Sequence, residues 1–376
     1  MLGELLADIQ DLVTCESPST DLAAVAASAD AVARVGARRL DVSPERIVLD
    51  GRTHLRWRFG DGPARVLLLG HHDTVWPLGS LATHPFGVAG GVLRGPGCFD
   101  MKAGVAMAFH ALAQLKDRAG VTLLITGDEE IGSPTSRGLI EAEAAGCAAA
   151  LVLEASADGG ALKTERKGVS LYRVRAHGLA AHAGLEPERG VNATVELAMQ
   201  VLAVNGIGDD RLGTTVTPTL MSAGTATNTV PATGEFAVDV RARTAAEQER
   251  VDVAMHGLLP VLRGARLEIV GGPNRPPMEA ASSASLFDHA SALAAQLGLP
   301  ALTSAAVGGA SDGNFTAGIG IPTLDGLGAV GGGAHADDEH VLISALPGRT
   351  SLVSALVADV LAGWTSPVAT SGSGRP

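Results

Sequence analysis

Three short, predominantly apolar runs without polar alternation constrain this chain most: ARVLLLG at 64–70, VTLLIT at 121–126 and ALVLE at 150–154. An alternating run would describe a strand with one wet face. Continuous runs of this length describe strands covered on both faces, as in parallel or mixed sheets. Helical patterns at about 103–115 and 136–145 separate them. Short strands at 46–50 and 54–59 precede them, after a helical stretch at about 4–40 that carries Leu5, Ile9, Leu12 and Val13 on one face. Strand and helix alternate, which predicts an α/β layer architecture. Each run ends in groups that bind protons or cations: His71-His72-Asp73, Asp128-Glu129-Glu130, and Glu154. That carboxyl edge is where open α/β sheets place their sites.

The pattern changes after residue 166. An alternating strand (VSLYRVRAHG) leads to a helix near 192–204, strands near 214–222 and 234–243, a helix at about 246–262 and the strand ARLEIV at 265–270. This β-α-β-β-α-β order predicts a ferredoxin-like α+β unit. Helices at about 285–297 and 345–361 then resume the α/β pattern. The reading is a discontinuous α/β domain, residues 1–166 and 277–364, interrupted by an inserted domain at 167–276. The tail at 365–376, rich in Ser, Gly and Pro, is expected to be disordered.

Composition narrows the function. Lys and Arg number 28 against 40 Asp and Glu, a formal charge of −12, which argues against a surface that displaces counterions from nucleic-acid phosphates. Cys15, Cys98 and Cys147 are odd in number and form no ligand cluster, so neither a disulfide framework nor a structural zinc knot is indicated. The amphipathic start lacks the basic leader of a signal peptide, and no run approaches the roughly 18 to 20 apolar residues of a membrane span. The cytoplasm is the expected compartment.

On an extended chain His71 and Asp73 face one way and His72 the other. A metal-binding imidazole needs this: one ring nitrogen for the ion, the other held by a partner that fixes its tautomer. Glu129 and Glu130 point apart and can hold separate roles. Asp100, in GPGCFDMKAG, equally fits a helix N-cap, and His335 follows three glycines in GGGAHADDEH. Together His71, Asp100, Glu130, Glu154 and His335 could serve two ions, each with one imidazole and one terminal carboxylate, the third carboxylate bridging. Nitrogen and oxygen donors suit Zn²⁺, with Mn²⁺ or Co²⁺ as substitutes. Ions roughly 3.5 to 4 Å apart activate a shared water, and Glu129 is placed to take its proton.

GHHDTVWP, GPGCFDMKAG, GDEEIGS, LVLE, AHGLAAHAG and GGGAH, in this order, resemble the M20 family of dinuclear zinc peptidases and amidohydrolases, and within it the glutamate carboxypeptidase (carboxypeptidase G2-like) branch. The resemblance runs from the first helix to about residue 362. It implies a zinc-peptidase-like catalytic domain with a mixed sheet flanked by helices, and an inserted lid through which two copies pair. It makes His71, Asp100, Glu130, Glu154 and His335 the metal ligands, with Asp100 bridging, Asp73 orienting His71, and Glu129 the general base. It assigns oxyanion stabilisation to His182, which reaches the partner subunit's site. Asn228 and Arg241 are implied in substrate binding, as is Gly309 through its backbone; Arg275, before Pro276 and Pro277, is a second candidate for an acidic group, or else a charge in a hinge loop. A guanidinium binds a free carboxylate in the bidentate geometry that a Lys would not reproduce.

The function implied is hydrolysis of an amide bond beside a free carboxylate in a small peptide or N-acyl amino acid, with glutamate the expected leaving residue. The alternatives are an N-acyl-amino-acid deacylase, such as an acetylornithine deacetylase or succinyl-diaminopimelate desuccinylase, and, from another class, a non-catalytic binding protein on the same fold. Glu154 departs from the Asp of many relatives, and His72 is given no role.

Overall fold

A computed structural model describes residues 2–366 of the chain. The tail expected to be disordered lies, beyond Ser366, outside the described residues. The three apolar runs are the strands Val66–His71, Val121–Thr126 and Ala149–Val152, with every residue buried. Val66–His71 pairs in parallel with both of the others, with His71 opposite Thr126 and Leu69 opposite Val152. Parallel strands in register end together, so all three release the chain at one edge.

Strand Arg52–Arg58 adds antiparallel to Val121–Thr126, Glu45–Leu49 adds antiparallel to that, and Thr323–Leu324 closes the other side in parallel. The result is a mixed sheet, as expected, of six strands. Helix Ala103–Ala113 is buried along almost its whole length and packs against helices Leu2–Val13, Leu22–Leu40 and Leu346–Leu361. The stretch read as one helical pattern at 4–40 is two helices, Leu2–Val13 and Leu22–Leu40. Pro18 lies in the break, and Asp21 caps the second helix by accepting the amides of Ala23 and Ala24 at 2.9 and 3.0 Å.

A smaller antiparallel sheet bears on the site. Gly331–Gly332 pairs with His340–Leu342, which pairs with Val92–Arg94, which pairs with Gly87–Ala89. It ties the loop that carries His335 to the strand that precedes Asp100.

Among the described residues, compactness separates a first unit, 2–165, 280–307 and 311–366, from a second comprising Arg166–Glu279 with Gly308–Ala310. The Gly308–Ala310 segment groups with the second unit, where Arg166 Nη1 donates to the Gly309 carbonyl at 3.1 Å. The second unit follows the β-α-β-β-α-β order. Its antiparallel sheet runs Thr215–Ala223, Thr233–Ala242, Gly168–His177, Arg266–Arg275. Helices Ala193–Asn205 and Ala245–His256 pack on it over Tyr172, Val174, Leu197, Phe236, Val251 and Met255. The second helix was expected to reach about 262. It stops at His256, where Gly257 and then Pro260 remove the support for another turn.

Candidate metal centre

The edge shared by the three buried strands gathers imidazole and carboxylate. His71 Nε2 lies 3.3 Å from Asp100 Oδ1 and 3.3 Å from Glu154 Oε1. His335 Nε2 lies 3.1 Å from Glu130 Oε2 and 3.5 Å from Asp100 Oδ2. Asp100 therefore turns one oxygen to each imidazole. Ligand atoms of His71, Asp100 and Glu130 lie within 4.8 Å of one another, and so do those of His71, Glu129 and Glu154.

Local backbone sets these positions. The Asp100–Met101 peptide is cis. His335 sits at φ 62°, a left-handed conformation in a tight loop where a Cβ on Gly333 would come within 2.8 Å of the Asp338 backbone. His71 Nδ1 donates to the main-chain carbonyl of Asp73 at 3.0 Å, while the Asp73 carboxylate stands farther off at 3.5 Å. A carbonyl can only accept, so Nδ1 carries its proton there and Nε2 is the nitrogen turned to Asp100 and Glu154. The Asp73 carboxylate instead holds the next strand end. Its Oδ1 accepts the Glu129 amide and its Oδ2 the Glu130 amide, both at 3.2 Å, and Ser19 Oγ donates to Oδ2 at 2.6 Å. His72 turns away into the core, with Nε2 3.0 Å from the Thr53 carbonyl.

Charge follows geometry. Burial pushes the His71 imidazole down, but Asp100, Asp73 and Glu154 outweigh it and raise it well above its ordinary value. Asp100 and Glu130 raise His335 to about 10. Burial raises Asp100, yet the two imidazoles hold it far below the usual carboxylate range. Burial leaves Glu130 raised despite His335.

The residues fit a pair of divalent cations. Among the described residues, His71 Nε2, Asp100 Oδ1 and Glu130 Oε1 are buried without a hydrogen-bond partner, although they converge. Buried polar atoms are seldom left this way unless something else satisfies them. The donor set of two imidazoles and carboxylates suits zinc and its neighbours.

The other residues singled out in the sequence belong to the inserted unit. His182 and Asn228 come together there: Ala181–His182 pairs with Thr229–Val230, and the Ala183 amide donates to the Asn228 carbonyl at 2.9 Å. His182 is exposed, and its Nδ1 accepts the Gly184 amide at 3.1 Å, which leaves Nε2–H as an outward donor. Arg241 already makes a bidentate pair with Asp239, at 2.8 and 2.9 Å. Arg275 ends a strand and is buried. Gly309 contributes its carbonyl to Arg166.

Residues 67–359 match the model of peptidase family M20/M25/M40. The chain belongs to this family. It is 35% identical to carboxypeptidase G2 of Pseudomonas sp. (strain RS-16) over 317 residues, 81% of this chain and 76% of that one. It is 27% identical to the succinyl-diaminopimelate desuccinylase of Methylorubrum extorquens (strain PA1), over 78% of this chain and 82% of that one. Its fold is similar to that of the YXEP protein of Bacillus subtilis, a dinuclear metal binding peptidase from the M20 family, with a TM-score of 0.64 at 16% identity over 96% and 98% of the chains. The chain is thus an M20-family hydrolase, and its His/Asp/Glu cluster is a candidate metal centre.

Three residues of this M20 centre were not singled out in the sequence. Ser19 and Lys163, the latter with Nζ 3.9 Å from Glu154 Oε2, carry no motif around them. Glu339 does have a signal: it is the fourth residue after His335, immediately before the strand His340–Leu342.

Proposed function

We propose that this M20 hydrolase is a dinuclear zinc carboxypeptidase that releases a C-terminal amino acid, glutamate foremost, from a small peptide or N-acyl conjugate. The observation that carries the reading is the Asp100 carboxylate set between His71 and His335, one oxygen toward each. His71 and Glu154 would hold one ion, His335 and Glu130 the other, with Asp100 shared; Mn²⁺ or Co²⁺ could substitute. Bound there, the ions would lower the pKa of water and polarise the scissile carbonyl.

The chain's own residues supply the rest. Glu129, whose carboxylate is within 4.8 Å of the His71 and Glu154 ligand atoms, takes a proton from the attacking water and returns it to the leaving amine. The outward Nε2–H of His182 supports its role as an oxyanion donor. For the substrate carboxylate Arg241 must share its guanidinium with Asp239, and Arg275 is the second cation proposed. Asn228 and the Gly309 backbone complete the proposed substrate contacts.

Pairing of two copies through the inserted unit is supported by its surface. Val195, Met199 and Leu202 form an exposed apolar stripe on helix Ala193–Asn205, beside the edge strand Thr215–Ala223 with exposed Leu220 and Met221. We retain the cytoplasm as the compartment, supported by three free thiols; no described helix is long and apolar enough to cross a membrane.

The desuccinylase relative supports a second reading, deacylation of N-acyl amino acids. Hydrolysis by the zinc-loaded protein across peptidyl and N-acyl conjugates of glutamate, aspartate and neutral residues, with N-acetyl and N-succinyl substrates alongside, separates the two. Preference for an aliphatic N-acyl group whatever the amino acid would favour the deacylase.

A further inference from the structure

Glu339 lies four residues beyond His335, in the loop closed by the pairing of Gly331–Gly332 with His340–Leu342. Its side chain is 4% exposed and is directed at the turn that carries Asp100. Oε1 accepts the amides of Phe99 at 2.8 Å and of Asp100 itself at 3.0 Å. Oε2 accepts the amide of Gly97 at 2.9 Å and the indole N–H of Trp76 at 2.6 Å. All four partners are donors, and they come from two segments: the turn of Asp100 and the stretch that follows His71 and Asp73.

We infer that Glu339 is a positioning residue that locks the shared carboxylate of Asp100 in register with His335, so that the two halves of the centre keep the spacing a pair of ions requires. The inference rests on the reading of Asp100 as the bridging ligand. The strand pairing of His340 with Arg94 brings the two loops near one another but ends before Asp100. Between Arg94 and Asp100 the chain passes through Gly95 and Gly97, both at positive φ, where the backbone has wide freedom. The Glu339 carboxylate binds three of the amides in that otherwise adaptable turn. Charge-assisted bonds from backbone N–H groups to a buried carboxylate are strong and directional.

The arrangement makes a distinctive prediction for Glu339→Gln. The substitution keeps size and shape, but the new NH₂ group must face two donors whichever way the amide is turned: Phe99 and Asp100, or Gly97 and Trp76. A buried donor set against donors is costly. Trp76→Phe removes one of those donors, so it should relieve Glu339→Gln in part while having little effect alone.

The experiment titrates metal-free full-length protein with Zn²⁺ against a chelating dye, following uptake rather than turnover, for wild type, Glu339→Gln, Glu339→Asp, Trp76→Phe and Trp76→Phe/Glu339→Gln. Circular dichroism accompanies each. We expect two ions in wild type, roughly 10- to 100-fold weaker uptake of at least one of them in Glu339→Gln, and partial recovery in the double variant. If Glu339→Gln does not fold, Glu339→Asp, with the carboxylate drawn back, carries the same expected loss. Two ions held with wild-type affinity by a folded Glu339 variant, or a double variant weaker than Glu339→Gln alone, would overturn the inference and leave the bridging role of Asp100 standing. Fewer than two ions in wild type would overturn both.

Discussion

The imidazole of His71 is held by the main-chain carbonyl of Asp73, Nδ1 to oxygen at 3.0 Å, and not chiefly by the Asp73 carboxylate. The carboxylate is occupied with Ser19 and with the amides of Glu129 and Glu130. One residue thus supports two strand ends by different atoms.

Asp73→Asn separates these tasks. The carbonyl remains, so His71 should keep its orientation, while the new NH₂ opposes donors beneath Glu129 and Glu130. We expect kcat to fall roughly 10- to 100-fold, as when groups supporting metal ligands are removed, with KM changed far less. Steady-state kinetics on a peptidyl-glutamate substrate checks this; a change in KM alone would contradict it.

The end of the third strand is held by close backbone approach. A Cβ on Gly104 would lie 2.1 Å from the Leu153 carbonyl oxygen, and one on Gly328 would lie 2.1 Å from the same oxygen. Either Gly→Ala change must push back the segment that leads into Glu154. Overpacking of this kind costs about 1–3 kcal/mol, so each variant should melt several degrees below wild type and lose activity beyond what stability explains. Thermal melts and assays at a temperature where both proteins are folded provide the check.

Away from the centre, Asp8 gives a pH-dependent prediction. Its carboxylate is fully buried, bonded to Arg39 Nε at 2.5 Å and His110 Nε2 at 2.7 Å, and paired also with Arg38. Burial raises it, but these partners prevail and hold it well below its ordinary range. A depressed carboxylate stabilises the fold above its unfolded pKa, about 3.9, and loses that contribution as pH falls toward the folded value. Asp8→Asn should therefore cost roughly 3 kcal/mol at neutral pH, the lower end for a buried pair because Arg38 is half solvated. The gap should hold from pH 7 to 5 and narrow below about pH 4. Urea melts across this range measure it.

The exposed stripe on helix Ala193–Asn205 predicts the assembly. Leu202 and Leu220 are each 77% exposed. A Leu202→Glu/Leu220→Glu double variant should halve the solution mass measured by light scattering, with circular dichroism unchanged. A monomeric wild type would contradict the proposed pairing.

The frame of the molecule was legible because it is written in continuous patterns. Runs such as VTLLIT, short and bounded by turn residues, read as strands covered on both faces, and three of them in parallel bring their ends to one edge. Helix ends were less legible, since a single Gly257 and a Pro260 cut short a helix whose apolar pattern continued. Supporting groups were the hardest to find. Ser19 reaches Asp73 across 54 residues of chain and Glu339 reaches Asp100 across 239, and a lone hydroxyl or one acid among several has no period or spacing to mark it. The role of the Asp73 carbonyl could not be foreseen, because every residue has one.

The most direct test of the account is the role of Glu129. The zinc-loaded Glu129→Gln variant should still take up two ions, because Glu130, not Glu129, is the proposed ligand. Its kcat on peptidyl-glutamate should drop by about 10²- to 10⁴-fold, the range for loss of a general base. Hydrolysis at the wild-type rate by a variant with both ions bound would contradict the mechanism.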